Sequence, residues 1–257
     1  METFILIRFT VLFICLGLLW PGRLQAAHEW RAAWGAPYTL PVVEQLSLAP
    51  SNRSTVRFGF ATPYDLSPLQ FQSAFGHTAD RNWEIHAGTL KAGEYRETHF
   101  GAGRCYDLSS GLSLFTGIRY FTIDLGMLSA CAHWSGALMI RASPTWLSAL
   151  SLSAGIVDQP LQSTSENTSL VLMRAALTSN SNRLILEHQL GNSGQSETTL
   201  VISSRYGAVS FIQGYRVVTG EASLGVALRA GNAEATLTRR WHPELGWTSA
   251  VDGAWFF

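Results

Sequence analysis

The sequence predicts an all-β protein, a closed antiparallel transmembrane β-barrel of about fourteen strands (12–16), and three observations carry that prediction. Charged residues make up only 14% of the chain while aromatics reach 11%, and an average soluble domain is roughly 25% charged. From residue 55 onward, apolar and polar side chains alternate with the period of two that a strand imposes. Residues 247–257 then place Trp247, Ser249, Val251, Gly253, Trp255 and Phe257 on one face of a strand, with the segment's sole charge, Asp252, on the other. An apolar face bounded by aromatics is what a barrel wall presents to lipid.

The first residues stand apart from this pattern. Arg8 precedes an apolar run over residues 9–19, residues 21–22 (Pro-Gly) break it, and residues 24–27 (Leu-Gln-Ala-Ala) offer small side chains for cleavage. The run is much shorter than the ~20 residues a spanning helix needs. Residues 1–27 are therefore expected to be a cleaved signal peptide, which directs the chain out of the cytoplasm. Residues 28–54 carry three prolines and no alternation, so they cannot be a barrel strand. They form either a periplasmic lead-in or a short plug in the lumen, and Trp30 and Trp34, costly to leave in water, favour docking.

Residues 55–257 are the barrel. Val56, Phe58 and Phe60 oppose Thr55, Arg57 and Gly59; Leu69, Phe71, Ser73 and Phe75 oppose Gln70, Gln72, Ala74 and Gly76. Trp83, Ile85, Ala87 and Thr89 oppose Glu84, His86 and Gly88. Phe100, Ala102 and Tyr106 oppose Glu97, His99, Gly101, Gly103 and Cys105. Leu112, Leu114, Thr116, Ile118 and Tyr120 face away from Ser113, Gly117 and Arg119, and Ala132, Trp134, Gly136, Leu138 and Ile140 from Cys131, His133, Ser135 and Arg141. The alternation continues over 150–156 and, less cleanly, over 170–177, where Arg174 takes the polar side. It resumes with Arg183, Glu187 and Gln189 against Leu184, Leu186, His188 and Leu190, then Ser203 and Arg205 against Leu200, Ile202 and Tyr206. Residues 209–218 have no clear phase. Arg229 then opposes Leu224, Val226 and Leu228, and Glu234 and Arg240 oppose Ala235, Leu237 and Trp241. In each segment the apolar face is assigned to lipid and the polar face to a wet lumen. Turn signals punctuate the pattern at 107–111, 143–144, 178–182, 230–232 and 242–246. The longest external loops are expected at 61–68 and 157–167. An even strand count puts both ends of the barrel in the periplasm. The alternative is a soluble β-sandwich or barrel, which also has short strands and Gly-rich turns.

Composition limits function. Eighteen basic residues balance eighteen acidic ones, so no basic surface recommends nucleic acid as a partner. Two cysteines follow the signal, Cys105 and Cys131. An exported pair invites a disulfide, but the strand assignments hold the two near opposite ends of next-but-one strands, beyond bridging range.

Residues 214–216 (Gly-Tyr-Arg), 219–231 and 242–248 (His-Pro-Glu-Leu-Gly-Trp-Thr), with 112–121 (Leu-Ser-Leu-Phe-Thr-Gly-Ile-Arg-Tyr-Phe), resemble the strands of fatty-acid-transporter-like (FadL-like) outer-membrane barrels. They are most similar to the smaller, PorV/PorQ-like relatives linked to protein secretion. The resemblance implies fourteen strands and an N-terminal segment folded into the lumen. That segment commonly carries Asn-Pro-Ala, whose place here is taken by Ala49, Pro50 and Ser51. Phe257 with Trp255 resembles the barrel-assembly signal, with Gly253 one position from the usual glycine, and implies the outer-membrane assembly machinery as a partner beside outer-membrane lipid.

The lumen-lining candidates are Arg57, Glu84, His86, Glu97, Arg119, His133, Arg141, Arg174, Glu187, Arg205, Arg229, Arg240 and Asp252. Such charges either form rings that select ions or pair across the interior and fill it, because an uncompensated buried charge is costly. The mixed signs favour pairing. His86, His99 and His133 lack the close spacing of metal ligands, so no metal or cofactor is expected. His188 and Ser204 are the one serine–histidine combination assigned to the lipid-facing side, but no Gly-x-Ser-x-Gly elbow or acid accompanies them, and no enzyme is expected. Two functions remain: passive passage of small, hydrophobic molecules across the bacterial outer membrane, or a non-enzymatic scaffold for secretion or surface partners.

Overall fold

The computed structural model describes residues 53–257 apart from 67, 81, 127, 145–146, 148, 161–169 and 192–195. The expected signal peptide, almost all of the 28–54 segment and most of the 157–167 loop lie outside the described residues.

Fourteen strands close on themselves in sequence order: β1 (Thr55–Thr62), β2 (Leu69–Thr78), β3 (Trp83–Ala92), β4 (Tyr95–Ser109), β5 (Leu112–Leu125), β6 (Leu128–Ala142), β7 (Leu150–Pro160), β8 (Leu170–Thr178), β9 (Asn182–Gly191), β10 (Ser196–Tyr206), β11 (Val209–Arg216), β12 (Ala222–Ala230), β13 (Ala233–His242) and β14 (Gly246–Phe256). Every neighbouring pair is antiparallel, as hairpin connections dictate. The seam joins β1 to β14 from Thr55 opposite Phe256 to Thr62 opposite Ser249. It extends past the strands, where Phe257 N–H donates to the Ser54 carbonyl at 2.9 Å. We call the end where β1 begins and β14 finishes the near mouth, and the other the far mouth.

Turn chemistry sets the hairpins. At the 230–232 turn Gly231 has φ +59°, a left-handed conformation that costs a residue without a Cβ little. On the far side a 3₁₀ turn (Pro63–Asp65) follows β1 and is tied to β14, with Tyr64 N–H donating to Thr248 Oγ1 at 2.9 Å. β4, β5 and β6 are the longest strands, at 15, 14 and 15 residues. Gly103 lies level with Glu84, which lies level with His77 and so with Thr55. The end of β4 therefore runs on past the near rim.

The alternation resolves into an outer and an inner wall. Outward positions include Phe58, Ile85, Phe100, Leu138, Leu224, Leu237 and Val251, all exposed, with Phe58 at 63%. Trp83, Tyr106, Tyr206 and Trp255 stand near one rim and Tyr215, Trp241 and Trp247 near the other, each at least 40% exposed. β2 reverses the expected phase. Phe71 and His77 are buried whereas Gln70 and Gln72 are exposed. Phe71 faces Ala61 and Leu90, and Phe75 faces Arg57 and His86, across the inner wall. A period-two pattern has two equivalent phases, and the register of the flanking strands selects one. Inside, small Ala61 and Ala250 make room for Phe71 and Leu90. β11, whose phase is open in the sequence, turns Ile212 inward to join Ala176, Ile185, Val201 and Ala227.

Several inner-wall glycines exist because a neighbour lies flat across them. A Cβ on Gly155 would collide with the Leu138 carbonyl oxygen and fall 2.5 Å from Met139 Cα, so backbone would have to move. The Gly155→Ala variant is expected to lose about 1–3 kcal/mol, the usual cost of overpacking, and to lose its heat-modifiable folded band on gels at a lower temperature than the parent. An unchanged transition would mean that β7 does not sit this close to β6.

Candidate lumenal site

Several charged side chains in the body of the inner wall pair with one another. Arg57 on β1 donates to Asp252 on β14 at 3.3 Å and to Glu234 on β13 at 3.4 Å. Adjacent antiparallel strands bring these residues together, and all three side chains are largely shielded from solvent. Arg174 on β8 faces Glu187 directly across on β9 and donates through both Nε, at 3.0 Å, and Nη2 to the same oxygen. Arg141 donates to Ser151 Oγ at 2.9 Å, and the Tyr95 hydroxyl bonds the Glu97 carboxylate. Glu84, His86 and Arg119 are also buried.

A third network lies at the far mouth, on the β10–β13 side of the wall. Glu221 is 1% exposed at its side chain and pairs with Arg216 at 3.1 Å and Arg240 at 3.5 Å. Nearby, Glu197 accepts backbone N–H groups from Val218 at 3.1 Å and Thr219 at 3.3 Å. Two carboxylates thus pin the β11–β12 turn. Glu221 is not among the lumen-lining candidates that the alternation picks out, and neither is this role. Glu221, Ser223 and Gly225 nonetheless continue one inward phase, and that continuity is the signal by which Glu221 could be found.

His86 and His99 meet on the inner wall with ring centroids 5.6 Å apart, and His99 stacks on Phe71 at 6.4 Å. Each ring lies over a glycine of the neighbouring strand, His86 on Gly101 and His99 on Gly88. His133 is placed by backbone register opposite Phe121, and its side chain is outside the described residues. Among the described residues, no three His, Cys, Asp or Glu side chains converge as a metal site. Cys105 is a buried free thiol. Its register partner Phe115 lies eight positions from Ile123, which faces Cys131. The suggested neighbours His188 and Ser204 are not brought together: His188 faces Thr198, with Nδ1 2.9 Å from Oγ1, and Ser204 faces Asn182.

The near mouth differs in charge from the rest of the lumen. A cavity of about 390 Å³ opens there, lined by Arg57, Arg183, Arg205, Arg229, His77 and Glu234, with Phe75, Phe256 and the polar turn 178–182. Arg229 stacks on the Phe256 ring at 4.4 Å, and Arg205 Nε donates to the Gly207 carbonyl at 3.1 Å. Arg183 shares the inward phase of β9 but is not among the candidates read from the sequence.

No protein-family model matches the chain, and no curated protein sequence matches it. Among solved structures it is similar to engineered forms of Rh. blastica porin. Two substituted forms have 9% and 10% identity with a TM-score of 0.49, and a Rhodopseudomonas blastica porin triple mutant has 10% identity with a TM-score of 0.48. In each case the match covers 80% of this chain and 99% of that chain.

The two kinds of ion pair should respond differently to substitution. Glu187→Ala leaves the buried Arg174 without its carboxylate partner and is expected to cost about 3–5 kcal/mol. Asp65→Asn touches only exposed contacts, the pair with Arg239, whose side chains are 45% and 53% exposed, and a hydrogen bond accepted from Ser249 Oγ at 3.0 Å, and is expected to stay within about 1 kcal/mol. Urea unfolding in lipid vesicles measures both, and similar losses would contradict the assigned burial.

Proposed function

We propose that this chain is an integral outer-membrane β-barrel of the channel class, exported through cleavage of residues 1–27, and that small hydrophobic molecules cross through it. The carrying observation is the exposed apolar belt. Large apolar side chains face outward around the barrel, whereas a soluble monomer exposes a largest apolar patch of only about 300–600 Å². Trp247 and Trp255 are eight residue steps apart on β14, about 26 Å along the strand and about 20 Å in height at a 40° tilt. That suits a thin bilayer. No helix among the described residues is long and apolar enough to cross a membrane, so a crossing would be made by strands. The exterior guanidiniums fit the same picture. Arg104 packs on Trp83 and Tyr106, and Arg239 on Trp247, which are rim positions where a long cation reaches the headgroups. The inner-wall apolar clusters on β1–β3 with β14 and on β8–β12 support a path for apolar cargo. The fourteen-strand count and the resemblance of 112–121 and 214–248 support a place among fatty-acid-transporter-like barrels.

A second reading is favoured by one observation, the burial and pairing of charge in the body of the lumen. A filled interior suits a scaffold that binds secretion or surface partners without conducting.

The test has two stages. Fractionation should place the chain in the outer membrane with heat-modifiable gel migration, and a soluble periplasmic chain would remove the membrane reading. Reconstituted into liposomes, the folded chain should then allow swelling in small solutes. Heat-modifiable protein with no swelling and no single-channel current would remove the channel reading in favour of the scaffold.

A further inference from the structure

We propose that the near mouth is a binding site for small polyanions carrying phosphate or carboxylate groups. The whole chain is neutral, with eighteen charges of each sign, yet four guanidiniums and one carboxylate line this single cavity. β1 contributes Arg57 from one side and β9 contributes Arg183 from the other, six strands away around the barrel by the shorter way. The cavity therefore spans the opening of the lumen instead of lying in a surface crevice.

The local pairing leaves donors pointing at its contents. Arg57 is engaged by Asp252 and Glu234. Arg205 and Arg229 have no carboxylate partner among the described residues. Arg205 uses Nε for the Gly207 carbonyl, which leaves its two terminal nitrogens for an anion. Arg229 is held by its face against Phe256, and a guanidinium stacked by its face keeps its in-plane N–H donors. Hydroxyls stand beside the cations by register, Ser203 across from Arg183 and Ser210 across from Arg205. Fixed guanidinium forks with flanking hydroxyls suit the planar, multidentate oxygens of carboxylate and phosphate. At about 390 Å³ the cavity is within the ~300–1,000 Å³ range of small-molecule sites. The site does not depend on conduction, because a closed lumen would hold the same mouth.

The test is calorimetric titration of the full chain, folded in an uncharged detergent, with pyrophosphate and with citrate. Glycerol and spermidine serve as neutral and cationic controls. At least one anion is expected to bind and both controls to fail, and the preference between pyrophosphate and citrate assigns phosphate or carboxylate chemistry. Raising NaCl from about 20 to about 200 mM, which shortens the Debye length from ~20 to ~7 Å, should weaken binding. Arg205→Gln combined with Arg229→Gln should weaken it at least about tenfold, since charge-assisted hydrogen bonds are lost at both. If that double variant loses heat-modifiable migration, Arg205→Gln alone carries the comparison, with an expected loss of about threefold or more. Absence of binding by both anions, equal binding of a control, insensitivity to salt, or unchanged affinity in a folded variant would each overturn the proposal. Because the readout is binding in detergent, the result stands apart from any measurement of swelling or current.

Discussion

The structure depends on the hydrogen-bonded seam between β1 and β14. In hydrocarbon an unpaired backbone N–H or C=O costs several kcal/mol, so a sheet can face lipid only if its two edges meet. Eight register pairs join the first strand to the last. Phe58 stands opposite Gly253 and Val56 opposite Trp255 on the outer face of that seam, so bulk on one strand is matched by space or apolar surface on the other. Once the edges are joined, each strand has one outer and one lumen-side face, and the remaining chemistry follows from which residues fall inside.

What falls inside is both charged and apolar. In a low-dielectric interior the charges require partners, and cross-strand register supplies them: Arg174 lies opposite Glu187, and Arg57 is within reach of two carboxylates on β13 and β14. Arginine suits these places because its fork serves two acceptors at once, and Lys91 is the chain's only lysine. The charge balance changes toward the near mouth, where arginines outnumber carboxylates. The lumen is thus compensated in its body and cationic at one end.

Much of this organisation is legible in the sequence. Most of the alternating segments have a readable phase because their outward side chains are aliphatic or aromatic and their inward ones are charged, small or hydroxylated, as in Glu84, His86 and Gly88 against Trp83, Ile85 and Ala87. β2 misleads because lumenal Phe71 and Phe75 mimic a lipid face while outward Gln70 and Gln72 mimic a wet one. Amplitude is clear there, but the sign depends on strands far along the chain. In β11 the apolar residues fall on both faces, with Ile212 inside and Phe211 and Tyr215 outside, so local pattern holds no answer. The inward candidates can be named singly, but the β1–β13–β14 charge cluster and the mouth built from β1 and β8–β9 arise only when the sheet closes, and linear spacing does not encode them.

The flat seating of His86 on Gly101 and of His99 on Gly88 sets the bore of the barrel at that height. A Cβ at either glycine would come within 2.5 Å of the ring above it, so any side chain there would lever an imidazole away from the wall and toward the axis. The two hydrogen-only positions therefore act as recesses, and the clear width beside them is governed by residues that no solute would touch.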